Sequence, residues 1–184
     1  HCFKSIAQVG EEMAVDEDAA GRLVDEARAR LLPVRNRRVW PGRDEKILTA
    51  WNGLMISAMA EGSRVLGDTR YLDAAVRAAD FLLSTLRQPD GRLLRTYRTG
   101  RAHLPAYLED YACLCEGLID LYEAGGAARY LHEAARIAER LLADFADEEN
   151  GAFYTTSRDH EALILRHQEG TDGATPSANA VAAT

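Results

Sequence analysis

Two aspartates, Asp44 and Asp110, stand close to the starts of helical patterns in this 184-residue chain. Glycoside cleavage needs two carboxylates, one to give a proton and one to take it or attack, set several ångströms apart across the bond. On adjacent helices at ordinary spacing, Asp44 and Asp110 would lie roughly 8–10 Å apart. Beside them in sequence are Trp51, Asn52, Glu109 and Tyr111, and further on Asp172 and Asn179. An aromatic face, amides, a phenol and carboxylates are the groups a sugar site draws on, so these six are the candidate substrate-binding residues. Each also has a plainer reading. Asp44 suits the cap of a helix starting at Lys46, and Trp51 suits a core. Asp172-Gly173 suits a turn, and Ser177 and Asn179 suit a cap and a first turn. Asn52 followed by Gly53 is costly inside a helix, which asks for a packing or ligand reason.

Other chemistries find little to rest on. An epimerase that removes and returns a proton wants two bases, usually histidines, at the site. His132 falls on the polar face of a helical pattern, His103, His160 and His167 fall in expected loops, and His1 is the first residue. Cys2, Cys113 and Cys115 have no paired spacing, and two residues apart on a helix Cys113 and Cys115 point to different faces. No glycine-rich phosphate loop, HExxH zinc motif or nucleophile elbow occurs, so no metal and no cofactor is expected.

Composition sets the class. Apolar residues are 47% and charged residues 28%, the balance of a globular domain, and the net charge is −7. An acidic surface repels phosphate backbones, and the one basic cluster, Arg35-Asn36-Arg37-Arg38, lacks interleaved aromatics, so nucleic acid is not an expected partner. No apolar run approaches the roughly 20 residues of a membrane span, so no membrane is expected. Unpaired cysteines point to a reducing compartment, and the expected location is cytoplasmic.

The elements that would position these residues repeat. Leu72, Ala75, Val76, Ala79, Leu82, Leu83 and Leu86 form one helical stripe, and Leu131, Ala134, Ala135, Ala138, Leu141, Leu142 and Phe145 recur 59 residues later. Before each lies a more thoroughly apolar segment, 47–66 and 107–124, expected to be buried on several sides, with Gly62 and Gly117 permitting close approach. After each comes a turn, Pro89-Asp90-Gly91 or Glu149-Asn150-Gly151, and a short alternating stretch suited to a hairpin. The unit is inner helix, outer helix, turn, short β element, and a third begins at Pro176-Ser177. One unit cannot bury both faces of its inner helix, so units stack, either in an open row or in a closed ring. Ahead of them, Asp16 to Leu32 reads as an amphipathic helix and Pro33 to Pro41 as a basic connector. The expected division is 1–42, helix and linker, and 43–184, about two and a half repeats of an all-α domain.

Three strings resemble one family. Arg43-Asp44-Glu45-Lys46-Ile47-Leu48-Thr49-Ala50-Trp51-Asn52-Gly53-Leu54-Met55 is similar to the hallmark of the spermatogenesis-associated protein 20 (YyaL-like, DUF255) family. Tyr107-Leu108-Glu109-Asp110-Tyr111-Ala112 and Asp172-Gly173-Ala174-Thr175-Pro176-Ser177-Ala178-Asn179 follow in the family's order. The sequence departs at Glu45 and Glu109, where Asp is usual, and at Ala178 and Ala180, where Gly and Ser are usual. The resemblance implies an (α/α)6 toroid, distantly related to N-acylglucosamine 2-epimerases and six-hairpin glycosidases, with short β-hairpins between repeats. It also implies a thioredoxin-like domain ahead of His1 and the rest of the toroid as partners in a longer protein. In such a ring the inner-helix starts meet at a central mouth, where Asp44, Trp51, Asn52, Asp110, Tyr111, Asp172 and Asn179 would gather. The leading reading is a carbohydrate-active or sugar-binding toroid with Asp44 and Asp110 as acid and base. Its rival is a non-catalytic scaffold or protein-interaction module attached to the thioredoxin-like domain, because a shared fold does not transfer function.

Overall fold

The computed structural model describes residues 3–161 and 163–184, so His1 and Cys2 lie outside the described residues. The chain divides into two units, one ending at Asp44 and the other spanning Glu45–Thr184.

The first unit holds α1 (Ile6–Met13) and α2 (Glu17–Asn36), which pack on each other. Ser5 and Asp16 cap them, Ser5 accepting from the Gln8 N–H and Asp16 from the Ala19 N–H. Sequence reading ends the second helix at Leu32; instead it runs through Pro33 to Asn36. Proline cannot bond the carbonyl four residues back and its ring crowds that carbonyl, a cost met here only at the last turn of the helix. On α2 only Ala20 is buried, and Leu31, Leu32 and Val34 remain exposed.

The second unit carries the repeats. The inner helices are α3 (Thr49–Leu66) and α5 (Leu108–Gly125); the outer helices are α4 (Thr69–Thr85) and α6 (Ala128–Phe145). The 59-residue stride survives in three dimensions, since α5 starts and ends 59 residues after α3, and α6 starts 59 after α4. Gly67 and Gly126, again 59 apart, end the inner helices with φ of 67° and 70°. Their N–H groups bond the carbonyls of Ser63 and Tyr122 at 2.9 and 2.7 Å, and glycine reaches this left-handed cap without Cβ strain.

Each outer helix leads into short strands. Ile47–Leu48 (β1) pairs with Leu94–Arg98 (β2), which pairs with Arg101–Pro105 (β3), all antiparallel. His103, expected in a loop, therefore lies on a strand. In the second repeat Ala146–Asp147 (β4) pairs with Ala152–Phe153 (β5), and α7 (Ala178–Ala182) opens the third unit with Ser177 as its cap. The β1 pairing accounts for the late start of α3: Lys46 is not helical, Leu48 holds the N-cap position, and Asp44 is not its cap.

The core runs between the helix layers through Ile56, Ala79, Leu82, Leu86, Leu114, Leu118, Leu121, Tyr130, Ile137 and Phe145. The α4 stripe is buried or half-buried as its spacing predicts. On α6 the buried face is Tyr130, Ala134, Ile137, Leu141 and Phe145, while Leu131, Ala135 and Leu142 are exposed. The reason lies in the stacking. Leu72 of α4 rests against Gly125 at the end of the next inner helix, whereas its counterpart Leu131 would need α7 to extend that far, and α7 is five residues long here.

The inner helices nearly touch. A Cβ added to Gly53 would lie 2.5 Å from the Cys113 carbonyl, and one on Gly117 would lie 2.6 Å from the Gly53 oxygen. Gly117 thus permits close approach as expected, but its partner is Gly53. Gly62 has open space, with Tyr71 4.0 Å from where a Cβ would stand.

Candidate functional site

The inner-helix starts are joined through one carboxylate. Asp110, fully buried in the first turn of α5, accepts from the Ala50 N–H at the start of α3 through Oδ1 at 2.9 Å. Its Oδ2 accepts from the Tyr107 N–H at 2.9 Å and from Arg95 Nη1 at 3.2 Å. The bond to Tyr107 is that of an N3 acid reaching back to the N-cap, and the first-turn position also favours negative charge. Burial pushes the Asp110 carboxyl up to about 6, against the opposing pull of the Tyr107 N–H, the Arg95 charge and the Ala50 N–H.

Arg95 organises the surroundings. It comes from β2, where alternation turns Thr96 inward, and its Nη1 also meets Glu109 Oε1 at 2.5 Å. Its guanidinium lies 4.8 Å from the centre of the Tyr107 ring, which in turn stacks on His160 with centroids 5.6 Å apart. His160 Nδ1 is buried with no hydrogen-bond partner. Arg95, Tyr107 and His160 were not singled out from the sequence. Tyr107 opens a family-like string and Arg95 follows a turn signal, but nothing local ties either to Asp110.

The remaining candidates are placed as follows. Tyr111 is buried; its hydroxyl accepts from the Leu93 N–H at 2.9 Å and its ring meets Phe145 at 5.1 Å. Asn52 Nδ2 donates to the Leu48 carbonyl at 2.8 Å, holding the first turn of α3. Trp51, on the same turn, is 62% exposed. Asn179 of α7 grips Phe153 of β5, accepting from its N–H at 2.8 Å and donating to its carbonyl at 3.0 Å, and donates to the Glu169 carbonyl at 3.0 Å. Asp172 accepts from the Ser177 N–H at 2.9 Å, shaping the turn into α7. Asp44 is an exposed residue at the end of the first unit and does not lie on an inner helix. Contacts therefore link Glu109 and Asp110 with Arg95 and the start of α3, while Asn179 and Asp172 brace the start of α7.

Among the described residues no group of three or more His, Cys, Asp and Glu could hold a metal ion, and no helix is long and apolar enough to cross a membrane.

Inner helices packed side by side, outer helices behind them and strands at the inner-helix starts define part of an α/α toroid of the six-hairpin kind. Among solved structures the chain is similar to the GH76 α-mannanase BT2949 of Bacteroides thetaiotaomicron, with a TM-score of 0.57 at 18% identity, over 64% of this chain and 33% of that one. Within that class its sequence is homologous to one segment of spermatogenesis-associated protein 20. The human protein is 35% identical over 97% of this chain, and an uncharacterised Caenorhabditis elegans protein is 30% identical over 93%. The chain spans about a quarter (24%) of the length of these relatives. No family model matches the sequence.

Proposed function

We propose that this segment forms part of the wall of a carbohydrate-binding toroid mouth. The observation that carries the reading is the Asp110 junction: a buried carboxyl lifted to about 6, set where two inner-helix starts meet and bridged by Arg95 to the half-exposed Glu109. Exposed Trp51 offers a flat apolar face to a pyranose ring. Glu109 and Arg95 offer an acceptor and donors to hydroxyl groups, with Asn52, Tyr111, Asp172 and Asn179 holding the backbone that shapes the lip. Acid/base chemistry falls to Asp110, which retains a proton far closer to neutrality than an ordinary aspartate. Arg95 must swing aside before Asp110 meets a substrate, because the guanidinium occupies Oδ2.

The test is a thermal-shift screen against mono- and disaccharides on a protein of the relatives' full length. A sugar that raises the melting temperature should lose that effect in Trp51→Ala and Glu109→Gln, both of which change groups that are not buried. Retention of the full shift in both variants would end the reading.

A second reading has its own support: both Asp110 oxygens, the Tyr111 hydroxyl, Asn52, Asn179 and Asp172 all bond groups of this chain. On that reading the lip is a scaffold that docks another domain, such as the thioredoxin-like one implied by the family resemblance, and no sugar shifts the melting temperature.

A further inference from the structure

The C-terminal half of α2 is an uncovered, positively charged surface. α1 packs on the first turns of α2, where a Cβ on Gly10 would lie 3.6 Å from the Ala20 Cβ and one on Gly21 3.9 Å from Ile6. Beyond that contact Ala27, Leu31 and Val34 continue the apolar stripe at i, i+4 and i+7 spacing, and Leu31 is 66% exposed. Helical spacing puts Arg28 and Arg35 along one border of the stripe and Arg30 along the other. From Arg28 to Arg38 there are five arginines and no carboxylate, in a chain whose net charge is −7. Arg28 and Arg30 pair with Asp25 and Glu26, whereas Arg35, Arg37 and Arg38 pair with no carboxylate among the described residues. Trp40 lies outside this cluster in sequence, yet the fold returns it there. Its indole N–H donates to the Asn36 carbonyl at 3.2 Å, and the Arg35 guanidinium lies 5.9 Å from the ring centre. Val39 is fully exposed, and a cleft of about 300 Å³ opens between Arg35, Arg38, Val39, Trp40 and Pro41.

We propose that this surface docks on an anionic phospholipid bilayer, with the arginines on the headgroups and with Leu31, Val39 and Trp40 in the boundary beneath them. Two observations select that partner. Arg35, Arg37 and Arg38 need an anion, and the arginine fork fits a pair of phosphate oxygens. The exposed aliphatic side chains beside them need hydrocarbon. A nucleic acid does not offer it, since its backbone and bases reward positive charge and aromatic stacking instead. The Trp40 indole suits the headgroup level, because its body is apolar and its N–H is already satisfied by Asn36. A helix lying in the plane of a bilayer surface needs no membrane-spanning length, so docking is compatible with the lack of a spanning helix among the described residues. The surface lies wholly within the first unit, so docking here and sugar binding at the Asp110 junction stand or fall separately.

The experiment takes a polypeptide of the relatives' full length carrying this sequence and sediments it with vesicles of phosphatidylcholine, alone or with about one third phosphatidylserine. Docking requires binding to the anionic vesicles about tenfold tighter or more than to the neutral ones, with release as salt rises. Each arginine at such a surface contributes about fivefold, so the Arg35→Gln/Arg37→Gln/Arg38→Gln variant should bind roughly a hundredfold more weakly. Val39→Ser and Trp40→Ala change exposed side chains, and each should weaken binding several-fold with the melting temperature unchanged. Absence of vesicle binding, or binding that the triple-arginine variant keeps, would overturn the assignment. So would a single-stranded oligouridylate probe that binds as tightly as the anionic vesicles and is indifferent to Val39→Ser, because the cluster would then be a nucleic-acid site.

Discussion

Gly53 and Gly117 cross with backbone against backbone: a Cβ on Gly117 would stand 2.6 Å from the Gly53 oxygen, and one on Gly53 2.5 Å from the Cys113 carbonyl. Alanine at either position gains about 1 kcal/mol of helix propensity but must push two helices apart, and backbone atoms cannot rotate out of the way. Gly53→Ala and Gly117→Ala should each lower stability by about 2 kcal/mol net in urea unfolding. Gly62→Ala, on the same helix with open space around it, should instead gain about 0.5–1 kcal/mol. Equal effects at all three positions would contradict the crossing geometry.

The paired caps give a second comparison. Gly67 and Gly126 hold φ of 67° and 70° with nothing within 4 Å of where a Cβ would be, so backbone strain alone opposes a side chain. Alanine at each should cost about 1 kcal/mol, and the two losses should add, because the caps are separate and share no partner. Asparagine, which tolerates the left-handed region, should recover part of the loss at either cap.

Asp110 sets a pH dependence. Its pKa is raised from 3.8 to about 6, so the folded chain binds this proton more tightly than the unfolded one. The contribution is complete below the unfolded value near 4 and is lost as pH rises through 6, by at most about 3 kcal/mol at 1.36 kcal/mol per unit. Asp110→Asn cannot ionise. Although it starts from lower stability, having lost one of two acceptor oxygens, its stability relative to the parent should climb between pH 4 and pH 7. Parallel urea profiles for the two proteins across that range would show that Asp110 does not titrate as its burial requires.

Cysteine reactivity separates packed from accessible thiols. Burial, with the Glu116, Glu109 and Asp110 charges adding to it, pushes the Cys113 thiol up to about 12, and its backbone lies in the α3–α5 crossing. Cys113 should stay unmodified by alkylating reagents at pH 8 until the chain unfolds, as read by peptide mass mapping. Rapid native labelling of Cys113 would mean that the inner helices part readily.

The repeat was legible because it rests on local rules. Apolar spacing marked the outer helices, its recurrence after 59 residues fixed the stride that the helix boundaries keep, and the Asp-Gly and Asn-Gly turns marked the hairpins. The all-α class, the toroid resemblance, the Ser177 cap and the first-turn place of Asp110 came from the chain alone.

What needed three dimensions was every decision made between repeats. Gly53 rather than Gly62 meets Gly117 because the crossing point depends on how two helices slide, which no periodicity records. Ile47–Leu48 became a strand because β2, about fifty residues on, pairs with it, and that shift removed the plainer reading of Asp44 as a helix cap. Arg95 acquired meaning only when β2 brought it to Glu109 and Asp110. Periodicity reports which side of a helix avoids water; it does not report what arrives to cover that side. Tertiary packing makes that choice, and it is why Asp110 is buried while its repeat counterpart Trp51 stands in solvent.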